Sequence, residues 1–301
     1  MDFNTFIGKA WNDHASDAHA VARRLSDGMA LVADESQLAR LAELAHHVHG
    51  EHLGEWRAGL AFMERLAALA PYTSAGASGQ ALRRCAASLA LSERDDADLG
   101  VLALSDRIRV GAMAAANLAE RDTGRAQRLL EDALEQARCS GLDATDPMNR
   151  ALAIAGHNLA CTLEKKPARS AAERALMIQA AQASRLYWER AGTWLETERA
   201  EYRLAMTWLQ AGDAARARAH AQACLEIVSA SDGAALERLF GWEALGLVEC
   251  AAGNPAAHAE ALAQAREAFA ALDESDQAWC AASLEALAAA SATVATAPTV
   301  A

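Results

Sequence analysis

The sequence predicts an all-α fold made of stacked antiparallel helical hairpins. Three observations carry this expectation. About a quarter of the residues are Ala, the strongest helix former and a poor strand residue, while aromatic residues make up only 5%. Apolar residues recur at spacings of three and four, which places them on one stripe of a helix. Short Gly-, Asn- and Pro-containing turns separate these segments at intervals of about 35 to 45 residues, the pattern of a helical repeat array. One hairpin cannot bury its apolar face, but stacked hairpins can. The same composition argues against a sandwich, a barrel or a Val/Ile-rich parallel sheet. With 5 Pro and 18 Gly in 301 residues, a collagen-like or disordered chain is also disfavoured.

Taken in order, residues 4–33 are expected to form an N-terminal helix, with Trp11, Ala18, Val21, Ala22 and Leu25 on one face. Helices over 37–49 and 55–68 make a first hairpin, joined by the longer turn Gly50-Glu51-His52-Leu53-Gly54. The run 71–79 is rich in Pro, Gly and Ser and reads as a loop, with a helix over 80–91 after it. Residues 107–120 and 124–138 pair next, with Ala126, Leu130 and Ala133 on the inner stripe. The helices over 151–164 and 170–190 follow, joined at Lys165-Lys166-Pro167-Ala168. Between 194 and 231, Leu204, Ala205 and Trp208 mark one helix and Ala217, Ala221, Cys224 and Val228 the next. Gly212 suits the left-handed end of the first, and Asp213 can cap the second. Trp242 opens a helix ending near Ala252, and Pro255 suits the first turn of its partner. Residues 275–290 form a terminal capping helix anchored by Trp279, and 291–301 a frayed tail. The organisation is one helical domain over 1–290, with an N-terminal segment (1–36), repeats (37–272) and a cap (273–290).

Two of these units resemble tetratricopeptide repeats. Trp242-x-x-Leu245-Gly246 is followed by Gly253-Asn254-Pro255. Leu204-Ala205-x-x-Trp208 is followed by Gly212-Asp213, Ala217, Ala221 and Cys224. Asn158-Leu159-Ala160 is similar to the Asn-Leu-Gly stretch of a first repeat helix. The resemblance runs over about residues 37–272, with the remaining repeats degenerate. It implies a right-handed superhelix of antiparallel hairpins, in which the first helix of each pair lines a concave groove. Some members of the family hold a peptide's terminal carboxylate there. Asn158, Arg199 and Arg203 resemble the anchoring residues, with His157 alongside. The Lys and Asn expected one repeat upstream are missing, and Gly111 and Ala115 stand near there.

A formal net charge of −12 disfavours non-specific binding to nucleic acid or anionic membranes. Met1-Asp2-Phe3-Asn4 lacks the basic start of a secretory signal, and no stretch of about 20 apolar residues lacks charge. A cytoplasmic location is therefore expected. Cys85, Cys139, Cys161, Cys224, Cys250 and Cys280 contain no Cys-x-x-Cys pair and read as small hydrophobes rather than as a disulfide framework.

Two clusters could carry chemistry. Six of the nine histidines precede residue 53: His14, His19, His46, His47, His49 and His52. His46 and His49, three apart, share a helix face, with Asp13 and Glu51 close in sequence. Such imidazoles can bind zinc, and His14, His46, His49 and His52 are the candidate ligands; the alternative is polar packing. Arg199 and Arg203 are four apart, so their charges repel unless an anion lies between them. The alternative is pairing with Glu198 or Glu201. Trp188, Trp194, Trp208 and Trp242 read as packing anchors.

No nucleophile elbow, P-loop or dinucleotide fingerprint is present. The expectation is a non-catalytic scaffold without a cofactor. It would bind a protein or peptide, acidic or with a free C-terminal carboxylate, in the groove. The alternatives are a metal- or His-dependent enzyme and a ligand-sensing domain.

Overall fold

The computed structural model describes residues 1–231 and 234–295, with side chains described as far as residue 290. Among the described residues there are fourteen α-helices, one π-helical segment and no strand. The all-α expectation is met. No helix among them is long and apolar enough to cross a membrane. The chain falls into two compact units, 1–163 and 164–301.

The first unit opens with α1 (Phe3–Asp13) and α2 (Ala18–Met29). One N-terminal helix was expected, and two are found. The break follows from Asp17, whose carboxylate accepts from the Ala20 backbone amide at 2.8 Å and so starts a new helix. α3 (Glu35–His46) is capped in the same way by Asp34. It runs directly into a π segment, His47–Leu53, where the sequence reading placed the end of a helix and a long turn. Then come α4 (Trp56–Ala67), α5 (Ala77–Glu93), α6 (Leu104–Leu118), α7 (Thr123–Cys139) and α8 (Pro147–Glu164), whose last residue belongs to the second unit. Neighbours from α1 to α7 pack largely in chain order. The main core of this unit is built from Phe3, Phe6, Ile7, Val21, Leu25, Leu38, Leu41, Leu44, Phe62, Leu66 and Leu89. Each such side chain contributes about 1.5–3 kcal/mol on burial.

The second unit holds α9 (Ala171–Ala191), α10 (Trp194–Gln210), α11 (Ala214–Ala230), α12 (Ala235–Ala251), α13 (Pro255–Ala270) and α14 (Glu274–Ala295). Ser170 and Thr193 form reciprocal capping boxes with Glu173 and Glu196. Gly212 and Gly253 take the expected left-handed conformation, with φ of 84° and 74°. The hairpins α10–α11 and α12–α13 are found where the repeats were read, although α12 starts seven residues before Trp242. Their contacts are lined by Ala205, Ala221, Ala244 and Ala265, all fully buried. The abundant Ala thus allows close helix approach.

Three expectations need correction. Trp279 is not a buried anchor: it is 67% exposed, with its ring edge against Phe240. Helix α14 continues through residues 291–295, which the sequence reading assigned to the tail; residues 296–301 of that tail lie outside the described ones. Cys85, Cys224 and Cys280 are buried as expected, but Cys139 is exposed.

Candidate functional site

The site with the most convergent chemistry lies in the first unit and begins with the π segment. A π-helix closes i→i+5 hydrogen bonds, is rare, and is frequent at functional sites. In an α-helix, residues five apart point about 140° away from each other. In the π segment His47 and His52 instead face each other, with Nε2 atoms 3.1 Å apart and rings crossing edge to face. His14, from the end of α1, joins them, with ring centroids 4.9 Å from His47 and 5.0 Å from His52. One ring nitrogen from each of the three lies within 4.8 Å of the others. Trp11 packs against both His14 and His47.

One local glycine and several contacts distant in sequence hold this geometry in place. Gly54 ends the segment at φ 64°, a conformation that L side chains rarely adopt. Arg121 caps the segment from outside, donating from its guanidinium to the carbonyls of Glu51 (3.1 Å) and His52 (2.9 Å). A Cβ on Gly50 would stand 2.5 Å from Asn117 Oδ1, so only glycine lets this backbone lie against α6. On the inner side His47 Nδ1 lies 3.1 Å from Glu51 Oε1, and the Asn158 amide donates to Glu51 Oε2 at 2.9 Å. Burial alone would raise the Glu51 carboxyl, but His47, His46 and Asn158 more than offset it and hold it below its usual value.

His14, His47, Glu51 and Asn158 border a cavity of about 640 Å³. Trp11, Met113 and Ile154 give it apolar wall; Arg109, Arg150, Glu43, His14, His46 and His47 give it polar wall. Arg109 meets Asp106 at 3.3 Å, but its Nε is buried without a hydrogen-bond acceptor. Desolvation, with Arg84 adding like charge, lowers its guanidinium from the usual value. Desolvation also raises the Glu43 carboxyl, against Arg84, Arg109 and Arg40.

The structure sorts the sequence candidates. His14 and His52 enter the cluster; His46 and His49 do not. His46 is buried at the cavity, with Nε2 3.0 Å from Ser88 Oγ, and burial lowers its pKa to about 4. His49 is buried with Nδ1 3.3 Å from Glu55. His47 is the ligand-competent residue that α-helical spacing concealed. Arg109, Arg150 and Glu43 were not singled out from sequence, since nothing in their spacing marks them.

Of the groove residues, His157 and Asn158 lie in the first unit, and Arg199 and Arg203 in the second. His157 Nε2 sits 3.4 Å from Cys161 Sγ. Arg199 donates to Glu237 at 3.0 Å, and Arg203 pairs with Glu164. Glu198 and Glu201, the partners considered for them, are engaged elsewhere: Glu198 by Cys224, and Glu201 by Arg185 and His220. No protein-family model matches the chain, and no curated protein matches it.

Proposed function

We propose that the chain is a non-catalytic binding protein of tetratricopeptide-like helical hairpins, and that its ligand enters the cavity of the first unit. The ligand class is an anion with an apolar body, such as a peptide ending in a free carboxylate. The observation that carries this reading is Arg109. Its Nε is a buried donor without an acceptor, its charge is destabilised by burial and by Arg84, and it lines a cavity that Arg150 also lines. A carboxylate would satisfy that donor and reverse the charge penalty. Trp11, Met113 and Ile154 supply the apolar contact that such cavities need.

This keeps the peptide-binding class expected from sequence and moves its site. Asn158 remains at the cavity, where it positions Glu51. The repeat reading is supported by the turns at Gly212 and Gly253 and by buried Trp208. The test is calorimetric titration of the full chain with a pool of N-acetylated tetrapeptides of apolar final residue, set against the same pool as C-terminal amides. The free carboxylates should bind and the amides should not. Arg109→Ala should weaken binding about tenfold or more. Equal binding of both pools would reject the anion reading.

A further inference from the structure

We propose that His14, His47 and His52 hold a divalent transition-metal ion of the zinc type in the wall of this cavity. The inference does not depend on the anionic ligand and stands on the geometry of the three rings.

Tautomers come first. His14 Nδ1 lies 2.5 Å from the Trp11 carbonyl oxygen, which can only accept. The proton is therefore on Nδ1, and the His14 lone pair is on Nε2. His47 Nδ1 faces the Glu51 carboxylate, so it too carries the proton, and its Nε2 lone pair points toward His52. A metal ion accepts from all three rings at once.

Distances agree. Two imidazole nitrogens bound to one tetrahedral ion at about 2.0–2.1 Å are separated by about 3.3–3.4 Å. The His47 and His52 Nε2 atoms are 3.1 Å apart, and the set of three spans no more than 4.8 Å. One pair already stands near the tetrahedral separation, and the widest must close by up to about 1.4 Å, within the reach of side-chain rotation. Neutral nitrogen donors suit zinc, and also copper, nickel and iron, but not magnesium or calcium.

The surroundings match what a bound histidine requires. A ligating imidazole almost always donates its other N–H to a carboxylate or carbonyl, which fixes its orientation. Here Glu51 serves His47, the Trp11 carbonyl serves His14, and Asn158 in turn holds Glu51. The π register places His52 opposite His47, and Arg121 fastens the carbonyl of His52 itself. His14 and His47 both line the cavity. Three protein ligands leave one tetrahedral position. Open positions of this kind take water or an anionic group.

The test is a competitive titration of the untagged full chain with Zn²⁺ against a chromogenic chelator. One ion per chain at micromolar affinity or tighter is expected. His14→Ala and His52→Ala should each weaken it about 100-fold, and Glu51→Gln about tenfold or more. His19→Ala, at an exposed histidine outside the cluster, should change nothing. Circular dichroism of the variants without zinc checks that they fold; for any that does not, Glu51→Gln carries the test. Zinc affinity unchanged in His14→Ala and His52→Ala, or weak binding of several ions per chain, would overturn the proposal and leave a His–His hydrogen bond in its place.

Discussion

His47 and His52 face each other across one turn of the π segment, with Nε2 atoms 3.1 Å apart. Their approach depends on helix register: the same residues in an α-helix would diverge. Changes that disturb the register should therefore act on both rings without touching either.

Arg121 is the first such position. Arg121→Ala removes its hydrogen bonds to the carbonyls of Glu51 and His52. The expected loss is about 1 kcal/mol of first-unit stability, since these acceptors can recover water. Zinc affinity should fall several-fold although every ligand is present. Urea unfolding and the zinc titration measure the two effects.

Gly50 is the second. Its added Cβ would meet Asn117 Oδ1 at 2.5 Å, and Asn117 is fully buried and held by Ser92 at 2.9 Å. Gly50→Ala should cost about 1–3 kcal/mol. In the double variant with Asn117→Ala, the total loss should fall short of the sum of the single losses by about 0.5 kcal/mol or more. Denaturant unfolding of the four proteins gives the comparison.

In the second unit, Glu198 sets a pH dependence. It accepts from Cys224 Sγ at 2.6 Å. Desolvation, with Glu237 adding to it, raises its pKa from 4.5 to about 7, against Cys224 and Arg199. Below pH 4.5 the carboxyl is protonated in both folded and unfolded chains. Between 4.5 and about 7 the unfolded chain ionises while the folded one keeps its proton, so stability falls as pH rises through this window. Above it the deficit is constant. Glu198→Gln should flatten this slope and be more stable at pH 8 by on the order of 2 kcal/mol. Unfolding measured at pH 4.5, 6 and 8 tests the sign.

Arg203 pairs with Glu164, a carboxylate that also accepts from the Thr207 hydroxyl. Arg203→Ala leaves a largely buried acid without its cation and should destabilise the second unit by about 1–3 kcal/mol. The double variant Arg199→Ala with Arg203→Ala should leave tetrapeptide binding in the first-unit cavity unchanged. Calorimetry on the double variant and thermal unfolding of the single one separate the two roles.

The helical class and most helices were legible in the sequence because their signals are local. Asp213 caps one helix and Pro255 fits the first turn of another, and Gly212 and Gly253 end the helices before them. The histidine cluster was legible as composition but not as geometry. At α-helical spacing His46 and His49 share a face, and both turn out to be buried among side chains of the first unit. The π segment shifts the register and brings His47 to His52. That shift rests on Gly50 against Asn117 and on Arg121 reaching back about 70 positions, contacts that no local pattern encodes. The partners of Arg199 and Arg203 were missed for the same reason. Closeness in sequence suggests Glu198 and Glu201, whereas Glu237 and Glu164 arrive from other helices.

The most direct test of the histidine centre is anomalous scattering at the zinc edge, from crystals of the untagged chain grown with equimolar zinc. A single dominant peak is expected about 2.0–2.1 Å from a ring nitrogen of each of His14, His47 and His52. Peaks only at other residues, with His47 and His52 still hydrogen-bonded to each other, would contradict it.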